Sequence, residues 1–126
     1  MSTKDKEIVW VGSSLDDLSE FPIRVKREMG FALRAAQQGE RHEGVEAMQG
    51  FRGTTVLEIK DDHDTDTYRV MYLAEFAEAV YVLHAFKKKS TAGINLPKRE
   101  ARTLEARLKK ARELHDTHLA EQKGKK

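Results

Sequence analysis

Apolar residues change their spacing several times along the chain, and each change marks an element. Glu7-Ile8-Val9-Trp10-Val11 is a short β-rich run closed by Gly12-Ser13-Ser14. Between Ser14 and Glu40 the apolar residues Leu18, Phe21, Val25, Met29, Ala32 and Ala36 recur at steps of three or four, which describes one face of a helix. Ser19 is read as its cap, Pro22 falls in the first turn where a missing N–H costs nothing, and Gly39 is the stop. Gly30 sits inside this pattern at a cost of about 1 kcal/mol relative to alanine.

Residues 40–53 are polar and punctuated by Gly44, Gly50 and Gly53, so they read as a connector with one helical turn around Val45 to Met48. Three strand-like runs follow. Thr54 to Lys60 is rich in β-branched residues and ends in the turn Asp61-Asp62-His63-Asp64. Thr67 to Leu73 is the second run and Ala79 to Phe86 the third, joined by Ala74 to Glu78. Links this short favour antiparallel neighbours, because parallel pairing needs a crossover of a dozen or more residues. A polar break from Ser90 to Asn95 leads to Pro97, after which Ala101, Leu104, Leu108, Ala111 and Leu114 mark a second amphipathic helix. The predicted fold is α+β: a small antiparallel sheet, made of the N-terminal strand and a three-strand meander, with helices packed on one face. Residues 1–126 read as one domain with a frayed tail over 119–126.

Composition narrows the classes. Charged residues are 35% of the chain and apolar ones 39%, enough for one modest core under a heavily solvated surface. Cysteine is absent, which excludes disulfides and thiolate metal sites and makes a reducing cytoplasm the natural setting. No apolar run approaches the roughly 20 residues needed to cross a bilayer, and the N-terminus lacks the apolar stretch of a secretion signal. The net charge of +2 is unevenly spread: Pro97 to Lys126 holds ten basic against five acidic residues, whereas the preceding 96 hold 13 against 16. A basic C-terminal part on a near-neutral body suits a polyanionic partner, although a merely solvated helix face has the same composition.

Three local patterns, in order, resemble the RelE/ParE toxin superfamily, specifically its HigB-like, phage-associated branch. Thr55-Val56-Leu57-Glu58-Ile59 is similar to the family's leucine-glutamate strand, and Tyr68-Arg69-Val70-Met71-Tyr72 to its arginine-bearing strand. Leu83-His84-Ala85-Phe86-Lys87-Lys88-Lys89-Ser90, followed by Pro97 and the Glu100-Ala101 opening of a helix, is the most specific of the three. The resemblance spans roughly residues 7–115. It implies a RelE-like fold and a toxin of a type II toxin–antitoxin pair. RelE-like and HigB-like members cut mRNA, usually on the ribosome, and ParE-like members poison DNA gyrase. It also implies a cognate helix-turn-helix antitoxin as partner and no cofactor.

Metal-free RNA cleavage needs a base for the 2′-OH proton, an acid for the leaving 5′-oxygen, and cations against the charge growing on the phosphate. Arg69 suits the last role, because its planar fork grips two phosphate oxygens and never loses its charge. Strand alternation puts it on one face with Met71 and Leu73, and a surface pairing with Glu58 is the bland alternative. Lys87, Lys88 and Lys89 leave the end of the third run. Two of them, Lys87 and Lys88, are assigned with Arg69 to catalysis, while Lys89 and Lys60 are assigned to phosphate contact. Their bland alternative is an edge-protecting charge cluster. His84, Tyr68 and Tyr72 are the acid–base candidates, although alternation groups His84 with Val80, Val82 and Phe86 as a sheet-face histidine. His63 sits in an acidic turn. His115 and His118 lie three apart without a third ligand, so no metal site is expected.

Two departures from the family pattern leave the base and acid open. Many RNA-cleaving members carry a tyrosine or histidine just after the last strand, where this chain has Ser90 and Thr91. Many carry arginine directly after the glutamate of the first hairpin strand, where this chain has Ile59. Three functions therefore stay in view: a ribosome-dependent mRNA endoribonuclease, a ParE-like non-hydrolytic gyrase inhibitor, and a non-toxic phage-derived nucleic-acid-binding relative.

Overall fold

A computed structural model describes residues 5–48, 51, 54–89 and 96–124. In chain order the elements are β1 (Glu7–Trp10), α1 (Ser14–Ser19), α2 (Ile23–Gln37), β2 (Val45–Ala47), β3 (Leu57–His63), β4 (Asp66–Leu73), β5 (Ala79–Lys89) and α3 (Lys98–Gly124). The strands form one sheet in the order β1-β5-β4-β3-β2. The meander β3-β4-β5 is antiparallel, as its short links require. The fold is α+β, and the sheet is mixed rather than wholly antiparallel, because β1 lies parallel to β5. The long excursion through two helices and three strands between them allows that pairing.

Helices cover both faces of the sheet, not one. On the first face α2 buries Val25, Met29, Ala32, Leu33 and Ala36 against Ile59, Val70, Tyr72, Val80 and Val82. On the second, α3 buries Leu104, Leu108 and Ala111 against Met71, Leu73, Tyr81 and Leu83. β4 and β5 are accordingly buried on both sides from Thr67 to Leu73 and from Ala79 to Phe86. Near-continuous apolar runs are what such central strands require.

Three local boundaries also differ from the pattern read in the sequence. The first helical segment is split at Glu20-Phe21-Pro22: Ser19 ends α1, with its hydroxyl donating to the Asp16 carbonyl at 2.6 Å, and Pro22 occupies the N-cap position of α2. Gly39, at φ +80°, does stop α2. Residues 45–47 form an edge strand paired with Leu57–Ile59 instead of a helical turn. Finally, α3 continues through 119–124, where the sequence suggests fraying.

The feature that positions the site is an unequal edge. β1 pairs with β5 only from Ala79 to Val82. The chain then turns at Gly12 (φ +58°) into α1, whose Ser14 hydroxyl donates to the Val82 carbonyl at 3.0 Å. Beyond Val82, the outer edge of β5 has no strand neighbour among the described residues.

Candidate functional site on the open edge of β5

A β-bulge sits where β5 leaves β1. The register passes from Tyr72↔Val82 to Met71↔His84, so Leu83 is an extra residue on β5. A bulge bends its strand and re-aims the side chains after it. Leu83 and His84 consequently both lie on the α3 side, and His84 shares that face with Phe86, on which it stacks at 5.1 Å, while Val80 and Val82 point to α2. Unbroken alternation would have grouped all four.

His84 is 5% exposed, and two residues of α3 hold its ring. Its Nε2 lies 2.7 Å from Glu100 Oε1, and its Nδ1 lies 3.2 Å from Arg107 Nη1. A guanidinium only donates, so Nδ1 is the acceptor and the proton sits on Nε2, donated to Glu100. Arg107 is fixed in turn: Nη1 also donates to the carbonyl of the bulge residue Leu83 at 3.2 Å, and Nη2 donates to Ser13 Oγ at 2.8 Å. Ser13 Oγ donates onward to Asp17 Oδ2 at 2.7 Å. One chain of hydrogen bonds thus runs from the first turn of α3, across β5, into α1.

Gly12 makes this arrangement possible. A Cβ built there would lie 2.7 Å from Arg107 Nε, and the backbone is in the left-handed region as well. Only glycine satisfies both conditions without displacing the guanidinium.

Around this network lies a cleft of about 490 Å³ that wraps the open edge from one face of the sheet to the other. It brings together three of the residues singled out in the sequence, Tyr68, His84 and Lys87, with Arg99, Glu100 and Arg107. Tyr68 packs edge-to-face on Phe21 at 4.8 Å. The Lys87 side chain is 53% exposed, with Asp66 Oδ2 3.8 Å from its ammonium.

Other predicted site residues lie elsewhere. Arg69 faces α3's side of the sheet, opposite Phe86 and Lys60, whereas Lys87 stands opposite Tyr68 on the other face. The expected convergence of Arg69 with Lys87 is therefore not formed. Arg69 is 6% exposed and sits 3.4 Å from Glu58, itself 8% exposed, so the bland pairing is the one observed. Arg69 Nε and Glu58 Oε2 are buried without hydrogen-bond partners. Lys88 shares Arg69's face opposite Thr67, Lys60 is exposed on β3, and the side chain of Lys89 lies outside the described residues. Tyr72 is fully buried away from the cleft, and burial raises its phenol above the ordinary value. His115 is buried on α3, stacked on Phe76 at 3.6 Å.

Sequence reasoning missed Glu100 and Arg107 as site residues. Their seven-residue spacing, with Thr103 between, sets a polar stripe beside the apolar Leu104–Leu108–Ala111 stripe, and that pattern was the available signal. Two further clefts exist. One of about 290 Å³ lies beside Lys6, Arg41 and Glu75, and one of about 520 Å³ lies between Arg24, Arg27 and the acidic turn Asp61–Asp64. The second is itself a cluster of charged groups, with His63 Nε2 3.6 Å from Asp64 Oδ2 at the surface, whereas the set at His84 is joined by hydrogen bonds to a buried ring. Among the described residues no group of three His, Cys, Asp or Glu is placed to hold a metal ion, and no helix is long and apolar enough to cross a membrane.

No curated protein and no solved structure matches the chain significantly. A family model described as phage derived protein Gp49-like (DUF891) matches residues 16–109, a stretch that runs from α1 through the sheet to Arg107 and beyond. The chain therefore belongs to the phage-derived Gp49-like protein family.

Proposed function

We propose that this protein is the toxin of a type II toxin–antitoxin pair, and that it cuts mRNA on the ribosome without a metal, at the open edge of β5. The observation that carries this reading is the bulge-centred cleft, where cationic, carboxylate and imidazole side chains meet along a stretch of β5 that has no strand neighbour among the described residues. Family membership and the motif resemblance to HigB-like toxins point the same way.

The chemistry follows from what the cleft offers. Lys87 and Arg99, both exposed and lining the cleft, provide cations for a phosphodiester. The 2′-oxygen attacks the adjacent phosphorus and the bond to the 5′-oxygen breaks, leaving a 2′,3′-cyclic phosphate and a 5′-hydroxyl. Arg69 is assigned here to the fold, since its charge is spent on Glu58 beneath the surface. A cytoplasmic helix-turn-helix antitoxin is the proposed partner. The exposed Ile23 and Phe31 of α2, standing among Arg24, Arg27 and Arg34, offer it an apolar and basic surface.

Induced expression should arrest growth and produce discrete primer-extension stops within transcripts. DNA-damage signalling with intact mRNA would replace this reading with gyrase poisoning. Salt-sensitive RNA binding without any cut would leave a nucleic-acid-binding relative.

A further inference from the structure

We infer that Glu100 is the group that takes the 2′-OH proton, with His84 and Arg107 as the positioning residues that aim it; this rests on the nuclease reading above. The histidine would be the first choice for a base by residue type, but its geometry argues against it. Its only acceptor nitrogen, Nδ1, already receives Arg107 Nη1, and that guanidinium is itself anchored to Leu83 and Ser13. To accept a substrate proton there, His84 would have to displace a permanent cation. Its Nε2 is the donor to Glu100 Oε1.

Glu100 has the opposite situation. One oxygen is oriented by His84, and among the described residues the other has no hydrogen-bond partner; the side chain is 25% exposed, against 7% for His84, and it lines the same cleft as Arg99. A carboxylate held by a buried imidazole at one oxygen and open to substrate at the other is placed to accept a proton. The other charged or titratable groups among the described residues lining the cleft are Asp17 from α1, Glu20 just after it, Tyr68 from β4, Lys87 from β5, and Arg99 and Arg107 from α3.

The step balances as follows. The 2′-OH proton passes to Glu100 as the O2′–P bond forms. The P–O5′ bond breaks, and the 5′-oxygen leaves with a proton from water. Glu100 then gives its proton to the hydroxide that remains.

The test is single-turnover cleavage of a short mRNA on ribosomes in a purified translation system, followed over pH for the wild type, Glu100→Gln, Glu100→Asp, His84→Asn and the outer-surface control Glu105→Gln. Glu100→Gln keeps an oxygen to accept from His84, and its thermal midpoint should match the wild type. Its rate should fall on the order of 100-fold or more, with loss of the acid-side limb of the pH–rate profile. Glu100→Asp should regain part of the rate and the limb. His84→Asn should slow cleavage by about tenfold while keeping the limb, as a positioning role demands. A Glu100→Gln rate within a few-fold of the wild type, in a system where the wild type cuts, overturns the role of Glu100 alone. Loss of the limb in His84→Asn but not in Glu100→Gln overturns it too, in favour of the histidine. Failure of the wild type to cut any RNA overturns both this inference and the nuclease reading.

Discussion

Replacing Gly12 by alanine should damage the fold and the site through one added methyl group, and its cost divides into two parts that can be measured separately. The first is backbone: at φ +58° an alanine pays about 1–2 kcal/mol for the left-handed conformation, partly offset by about 0.4–1 kcal/mol from the narrower unfolded ensemble. The second is steric. The new Cβ would sit 2.7 Å from Arg107 Nε and 3.0 Å from its Cζ, so the guanidinium must move. It cannot move freely, because it is anchored to Leu83, His84 and Ser13. Losing one charge-assisted hydrogen bond costs about 1.5–3 kcal/mol when buried, and about 1–2 kcal/mol at this partly open site where water can replace it. Gly12→Ala should therefore cost about 2–3 kcal/mol in the wild type and only about 1 kcal/mol in an Arg107→Ala background, a coupling of roughly 1–2 kcal/mol. Urea unfolding followed by circular dichroism and by the fluorescence of the lone Trp10 measures all four corners of the cycle. Equal costs in both backgrounds would refute the idea that Gly12 exists to let Arg107 in.

Other outcomes follow from the same structure. Leu104→Ala, at a fully buried position between α3 and the sheet, should lower unfolding stability by about 2–5 kcal/mol by the same urea titration. Gly30→Ala should instead stabilise by about 0.5–1 kcal/mol, since a Cβ there meets nothing within 4 Å and the helix gains a better former. Glu58→Ala should cost about 3–5 kcal/mol by leaving Arg69 buried and uncompensated, whereas Glu58→Leu combined with Arg69→Met should be neutral or stabilising in thermal melts. Asp61 has its carboxyl raised above the ordinary range, first by burial, then by Glu28 and Asp62. A group that binds its proton more tightly when folded contributes stability at low pH that is lost as pH rises through its folded value, so the ionised form is a burden at neutrality. Asp61→Asn should raise the urea midpoint at pH 7, and the gain should vanish below about pH 4.

The parts of the fold that repeat along the chain were readable in it. The three- and four-residue spacing of Val25, Met29, Ala32 and Ala36 marked α2, and that of Leu104, Leu108 and Ala111 marked α3. The continuous run Val80 to Phe86 already carried the signature of a strand buried on both faces, so helices on opposite sides were foreseeable from it. β2 was not foreseeable, because it is three residues long, buries only Val45 and exists through its pairing with β3. Nor was the bulge: Leu83 is an ordinary strand residue, and no glycine or proline announces that the alternation breaks there. Without that break His84 falls on the wrong face. Its partners Glu100 and Arg107 lie 16 and 23 residues away, on a helix whose position only the packing of its apolar stripe determines. Lys87 was singled out by its motif and Arg99, which lines the same cleft, was not, because a single basic residue in a helix rich in them has no local mark.

The location of the chemistry is the claim on which the functional account rests, and two variants separate its possible places. One carries Lys87→Ala with Arg99→Ala at the open edge of β5; the other carries Arg69→Met with Glu58→Leu beneath the second face of the sheet. Cleavage of ribosome-bound mRNA by each purified variant, with folding verified by its thermal melt, is the deciding measurement. The expected result is a loss on the order of 100-fold or more for the Lys87 and Arg99 variant and near-wild-type cutting for the Arg69 and Glu58 variant. Full activity in the first, with a folded but inactive second, would contradict it.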